Sequence, residues 1–316
     1  MEPKSISIGE NVLRALMDIK RPTETLSDLI GRLVDERAQH VQQKESLLRL
    51  LRLYMPESAI EESLTTKNLL HSEDLTLAVI FSDIRSFTKI SEATSPEEMI
   101  LFLNGYFRVM TDIIYAKGGI VDKYIGDAIM AYFGYPTYEE GTALQTVLAA
   151  IEMVEATRKD LLGYNIGIGI NLGVVTIGNV GHPERRLNFT IIGDMVNLAS
   201  RLEGLTKTYR QDILISESTH DRIKAVLPCR LVDTVSVKGK GTANIFTVRR
   251  DLNQKERAAW EKHNEGMVHL SALEFRPALE CFQEVLQYQE NDHLAKMMIE
   301  RCTQNLTNDH QTERAI

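Results

Sequence analysis

Hydrophobic and polar positions divide the chain into three stretches of different period. Up to about residue 70 the pattern is leucine-rich and helical. Leu26, Ile30, Leu33, Leu47 and Leu51 follow steps of four and three, and Arg37, His40 and Lys44 occupy the same phase between them. This interrupted seam fits a short parallel coiled coil with a polar middle, or an amphipathic helix packed on its own domain. Pro22 breaks the chain before this helix and Tyr54-Met55-Pro56 breaks it after.

From about residue 75 short apolar runs take over. LTLAVIFSDI (75–84) reads as a buried strand ending in Ser-Asp. A helix follows: Ser95 is its predicted N-cap, Pro96 its first residue, and Glu98 completes a capping box. Gly118-Gly119 stop it. IVDKY and AIMAYFG are two strands joined by Ile-Gly-Asp, and a long helix covers about 139–162. NIGIGINLG and VVTIGNV are expected as two strands around Gly173. A helix at 194–205, a strand at 212–216 and a last strand at 242–248 complete the stretch. The order strand-helix-strand-strand-helix-strand predicts an α+β, ferredoxin-like core (βαββαβ) with extra elements at its end.

The third stretch, 251–316, is polar and helical. Gly266, Ala278 and Phe282 fall at the spacing of small and aromatic residues in a tetratricopeptide repeat. The expectation is a C-terminal helical hairpin docked on another surface, with a frayed tail from about 306; an unrelated helix pair fits the same positions. The predicted organisation is therefore 1–74 helical, 75–250 an α+β domain and 251–316 helical.

Composition narrows the classes. A net charge of -8 argues against a nonspecific nucleic-acid binder. No run of roughly 18 apolar residues predicts a membrane span. The start, MEPKSISIGE, lacks the apolar core of a signal peptide. Cys229, Cys281 and Cys302 are odd in number and far apart, which predicts neither a disulfide framework nor a zinc knuckle. A cytoplasmic location is expected.

The candidate chemistry starts at VDKYIGDAIMA (121–131). Gly126-Asp127 suits a tight turn, and turn chemistry alone would explain it. A second aspartate, Asp83, ends the first strand; alone, it reads as a helix cap or a salt bridge, with Arg85 as one partner within reach. In a ferredoxin-like core the first strand lies beside the central hairpin, which would bring Asp83 and Asp127 together. Two adjoining carboxylates repel unless a cation or proton intervenes. Hard divalent cations prefer such oxygens, and the Ile84 carbonyl can add another. Phe87 and Thr88 open a helix start, where free N–H groups suit phosphate. Asn197 and Arg201 share a helix face, and Lys238 lies in the glycine-rich VKGKG (237–241); taken alone, each reads better as solvated surface.

Together, FSDIRSFT, DKYIGDAIMA, FTIIGDMVNLASRLE and VKGKG resemble, in order, the class III adenylate and guanylate cyclase catalytic domain. The resemblance covers about 75–250. It implies that Asp83, Ile84 and Asp127 bind two divalent cations, Mg²⁺ or Mn²⁺. Asn197 would orient the ribose, Arg201 would stabilise the α-phosphoryl transition state, and Lys238 would bind the terminal phosphates. Lys123 and Thr190 match the base-reading positions, and the Lys-Thr pair looks like the class IIIb branch, some of whose members respond to bicarbonate. Lysine donates to adenine N1, whereas guanine N1 is itself a donor, so Lys123 argues for ATP. Thr190 can accept from the adenine amine but can also donate, so it is less exclusive. The implied reaction is in-line attack of the ribose 3′-oxygen on the α-phosphorus of ATP, giving cyclic AMP and pyrophosphate. The general base is open between Asp83 and a water. The family works as a head-to-tail dimer, and this chain carries both half-sites, so a homodimer is expected with GHPERRLNF (181–189) as its arm. Alternatives are a guanylate or mixed-specificity cyclase, a silent nucleotide-binding dimer, and a scaffold that works through its flanking helices. The C-terminal helices offer a place for a protein partner.

Overall fold

The computed structural model describes residues 10–51, 60, 72–159, 164–182, 185–237 and 241–314. The chain divides into two compact units, 1–67 and 68–316. In the first, α1 spans Glu10–Ile19 and α2 spans Leu26–Leu51, with the expected break at Pro22 between them. Thr25 and Asp28 cap α2 reciprocally: the Asp28 amide donates to the Thr25 hydroxyl (3.1 Å) and the Thr25 amide to the Asp28 carboxylate (2.9 Å). Leu29 is buried, while Ile30, Val34, Val41 and Leu47 are exposed along α2. No described helix is long and apolar enough to cross a membrane.

In the second unit, the capping box at Ser95 and Glu98 forms as expected, and α4 (Pro96–Ala116) follows the short α3 (Phe87–Glu92). The strands β1 (Ser72–Ile84), β2 (Gly119–Ile125), β3 (Ala128–Phe133) and β4 (Ile166–His182) lie side by side in the order β2-β3-β1-β4. With α4 and α5 (Thr142–Lys159) this is the predicted βαββαβ core. The sheet continues through β6 (Ile213–Ser216), β8 (Gly241–Val248) and β7 (Cys229–Val237), and β5 (Arg186–Ile192) pairs with β4. Period-2 alternation gives the sheet two apolar faces. Ile80, Ile84, Ile168 and Ile170 meet Met110 and Ile114 of α4 on one side. Leu77, Val79, Met130 and Tyr132 meet Val196 and Ala199 on the other, from α6 (Asp194–Tyr209).

Three expectations are corrected. The two strands around Gly173 are one continuous β4, in which Gly173 pairs with Leu77 of β1. A side chain at Gly173 would lie 2.5 Å from the Met195 sulfur, so the glycine admits α6 and does not turn the chain. Strand β7 was not anticipated. A bulge between Leu231 and Asp233 breaks its alternation, and the charged Arg230 is buried within it. The expected C-terminal hairpin is three helices: after α7 (Glu217–Ile223) come α8 (Gln254–Ser271), α9 (Phe275–Tyr288) and α10 (His293–Arg314), the last running past the expected fraying point.

These helices dock on β7 through a buried polar knot. The Arg230 guanidinium bonds Asp292 (2.9 Å) and His263 Nδ1 (2.7 Å), and His263 Nε2 bonds the Leu231 carbonyl (2.9 Å). Burial, then Arg230, holds the His263 pKa well below its usual value. A neutral ring accepting at Nδ1 and donating at Nε2 satisfies both contacts. Gly266 lets the helices close: a side chain there would lie 2.8 Å from the Phe282 ring.

Candidate active site

The hairpin between β2 and β3 turns at Gly126-Asp127, with Ile125 paired to Ala128 and Gly126 at φ 65°. A positive φ at the first central residue is what a two-residue hairpin turn asks of glycine. Strand β3 pairs with β1 as far as Ser82↔Ile129, so the turn reaches the end of β1 and Asp127 adjoins Asp83. The Ile84 amide donates to Asp127 Oδ2 (3.3 Å). Burial first, then a hydrogen bond to and the charge of Asp83, push the Asp127 pKa up to about 6. A raised pKa is what two carboxylates sharing one site produce.

Two residues that the sequence did not single out complete this corner. Lys207 of α6 donates to Asp83 Oδ2 at 2.7 Å and is held protonated chiefly by that bond. Glu203, one turn earlier, has a buried Oε1 with no hydrogen-bond partner, and burial and then the Asp83 charge raise its pKa to about 6. Helix α6 reaches this corner because Gly167 and Gly169 of β4 lack side chains. A Cβ at Gly169 would lie 2.2 Å from the Ala199 carbonyl oxygen. Of the two simple readings of Asp83, the cap does not hold, because Ser86 takes the cap position of α3; the salt bridge does form, but with Lys207, while Arg85 turns to the Gln211 carbonyl (2.6 Å).

The expected base-reading pair is in contact. The Lys123 ammonium on β2 donates to the Thr190 hydroxyl on β5 at 2.8 Å. Thr190 is buried and Lys123 partly exposed. Asn197 and Arg201 lie exposed on α6. Phe87 packs against the core at the start of α3 and Thr88 is exposed. Lys238 lies outside the described residues, between Val237 and Gly241, which pair in the β7–β8 ladder. Arg185 and Arg186, in the expected dimer arm, are exposed, and Arg186 opens β5.

The corner around Asp83 suits a divalent cation. Its donors are hard carboxylate oxygens, close enough together to raise the Asp127 pKa, and the Lys207 ammonium sits as the positive charge beside Asp83. A second ligand cluster differs. Glu265, His269 and Cys281 bring ligand atoms within 4.8 Å, but Lys262 bonds Glu265 (2.7 Å) and Glu274 bonds His269 (2.6 Å), so the group is internally satisfied.

Residues 71–250 match the family model described as the adenylate and guanylate cyclase catalytic domain. The chain belongs to that family. It is similar to the terminal-differentiation-specific adenylate cyclase of Dictyostelium discoideum, 37% identical over 73% of this chain and 11% of that protein. It is also similar to an adenylate cyclase of Anabaena cylindrica, 41% identical over 55% of this chain and 36% of that one. The chain thus spans about a third or less of the length of these relatives. Among solved structures, the adenylyl cyclase CyaB from P. aeruginosa superposes with a TM-score of 0.52 and 36% identity, over 58% of this chain and all of that one. The catalytic core of a rhodopsin-guanylyl cyclase with converted specificity, in complex with ATPalphaS, superposes with a TM-score of 0.50 and 32% identity, over 57% of this chain and 99% of that one.

Proposed function

We propose that this chain is an adenylate cyclase that converts ATP to 3′,5′-cyclic AMP and pyrophosphate. The observation that carries the choice of ATP is the Lys123–Thr190 contact, which places a donor and an acceptor side by side. Adenine offers the complement: N1 accepts and N6 donates. The Asp83–Asp127 corner would hold the divalent cations, which supply charge neutralisation on the phosphates and a lowered 3′-hydroxyl pKa. The chain's own residues do the rest. Lys123 and Thr190 hold the base and so fix the ribose. Asn197 orients the ribose, and Arg201 offsets charge developing on the α-phosphoryl oxygens. The working unit is a head-to-tail homodimer, because one chain carries the acidic corner and the base-reading, asparagine and arginine set together. The exposed apolar line of α2 suits pairing with a second copy.

The test is product formation by purified chain with ATP or GTP, each with Mg²⁺ and with Mn²⁺, repeated with bicarbonate. Cyclic AMP with little cyclic GMP is the expected result. A shown dimer giving no product under any condition would favour the silent nucleotide-binding alternative.

Cation binding should follow pH. Asp127 holds a proton up to about pH 6, and a bound cation must displace it. Mn²⁺ affinity measured calorimetrically should therefore weaken by about 10-fold from pH 7.5 to pH 5. A dissociation constant that does not move across this range would remove Asp127 from the ligand set.

A further inference from the structure

Asp122 has no part in the roles assigned so far, yet its side chain is fully buried. It also points the wrong way for a regular strand. Adjacent strand residues face opposite sides of a sheet, so Asp122 and Lys123 should diverge. They converge because β2 bulges. Its pairing with β3 runs Val121↔Ala131 and then Lys123↔Met130, which leaves Asp122 as the extra residue. A bulge re-aims a side chain, and here it turns both neighbours onto Thr190.

The hydrogen bonds around Thr190 can be counted. The Thr190 hydroxyl donates to Asp122, with its oxygen 3.0 Å from Oδ1 and 2.9 Å from Oδ2, and the Ile191 carbonyl is a more distant acceptor at 3.5 Å. The Ile191 amide donates to Asp122 Oδ2 (3.1 Å), which fixes the carboxylate. Lys123 Nζ reaches Asp122 Oδ1 at 3.0 Å and Thr190 Oγ1 at 2.8 Å. A carboxylate only accepts, a hydroxyl has one proton and two lone pairs, and an ammonium has three protons. The single Thr190 proton is committed to Asp122 and one lone pair to Lys123, so what Thr190 has left can only accept. Lys123 has spent one proton on Thr190 and faces Asp122 as an ion pair, so it keeps protons to give. The pair therefore presents a donor and an acceptor, the complement of adenine N1 and N6. Guanine offers the reverse, a donor at N1 and an acceptor at O6.

We propose that Asp122 is the positioning residue that sets base choice: by taking the Thr190 proton it makes Thr190 an obligate acceptor and favours ATP over GTP. The proposal rests on the base-reading roles given above for Lys123 and Thr190. It removes the ambiguity that a free threonine hydroxyl would carry.

Asp122→Asn tests it. The variant keeps the shape but replaces one acceptor by an NH₂ donor. Lys123 opposes that amine at the Oδ1 place and the Ile191 amide opposes it at the Oδ2 place, so Thr190 is left with one neutral oxygen that it shares with another donor, and its proton is no longer committed and can donate to a base. The ATP/GTP ratio of kcat/KM should fall about 10-fold or more. Asp122→Glu keeps an acceptor-only group and should keep the wild-type ratio. Thr190→Val alone should lower the ratio, and adding Asp122→Asn to it should change the ratio no further. A purely structural role would lower turnover of both nucleotides together. An unchanged ratio in Asp122→Asn, an unchanged ratio in Thr190→Val, or an equal shift in the Thr190→Val background would each overturn the proposal. Wild-type protein that makes no cyclic nucleotide would instead overturn the reading beneath it. Active wild type with an unaltered variant ratio removes Asp122 alone.

Discussion

Asp127→Ala should lower cyclic AMP production by at least about 1000-fold while the protein still elutes as a dimer. The substitution removes one of two carboxylates at the only corner where β1, the β2–β3 turn and α6 bring Asp83, Glu203 and Lys207 together among the described residues. Loss of folding is not the expected cause. The folded pKa of about 6 lies above the ordinary carboxylate value of 3.8. The native state therefore holds a proton that the unfolded chain releases. That contribution to stability is complete below pH 3.8 and is lost as pH rises through 6. Above pH 6, without a cation, the ionised pair costs about 1 kcal/mol once screening at this half-exposed site is allowed for. Removing Asp127 should thus leave the melting temperature in chelator at pH 7.5 unchanged or higher. Near-normal turnover in Asp127→Ala would sink the cation assignment, and a melting temperature many degrees lower would give Asp127 a structural role.

The same corner shows what the sequence could and could not reveal. Asp83 and Asp127 were legible because each ends an apolar strand run, and strand ends in a βαββαβ core have few places to go. Glu203 and Lys207 were not. Four apart on a helix, they read as a solvated ion pair, and only the approach of α6 over Gly167 and Gly169 turns them toward Asp83. Asp122 was hidden for a different reason. A bulge is one extra residue in a ladder, and no period in the sequence marks it. The third C-terminal helix did leave a signal. Leu294, Met298 and Cys302 recur every four residues and all three are buried, but the surrounding polar residues masked the stripe.

Replacing Lys123 by Glu together with Thr190 by Cys should shift the ATP/GTP ratio of kcat/KM toward GTP by about 100-fold or more. Glutamate accepts from guanine N1 and N2, and the lysine donor that faced adenine N1 is gone. The shift is in discrimination, and the structure predicts that it comes with a loss of turnover. Lys123 is the cation beside a fully buried Asp122, 3.0 Å away. The Lys123→Glu change would set a second carboxylate in the ammonium's place, and the removal of Thr190 would leave Asp122 with the Ile191 amide as its remaining donor among those seen here. Two carboxylates so placed repel, and one must protonate or swing out of the base site. Adding Asp122→Asn should therefore recover GTP turnover in the Lys123→Glu, Thr190→Cys background while keeping the altered ratio. Kinetics of the double and triple variants with both nucleotides decide the matter. An ATP/GTP ratio that stays at the wild-type value in the double variant would count against both base-reading roles. A ratio that moves without recovery in the triple variant would leave Lys123 and Thr190 in place and show that Asp122 is not what limits the switch.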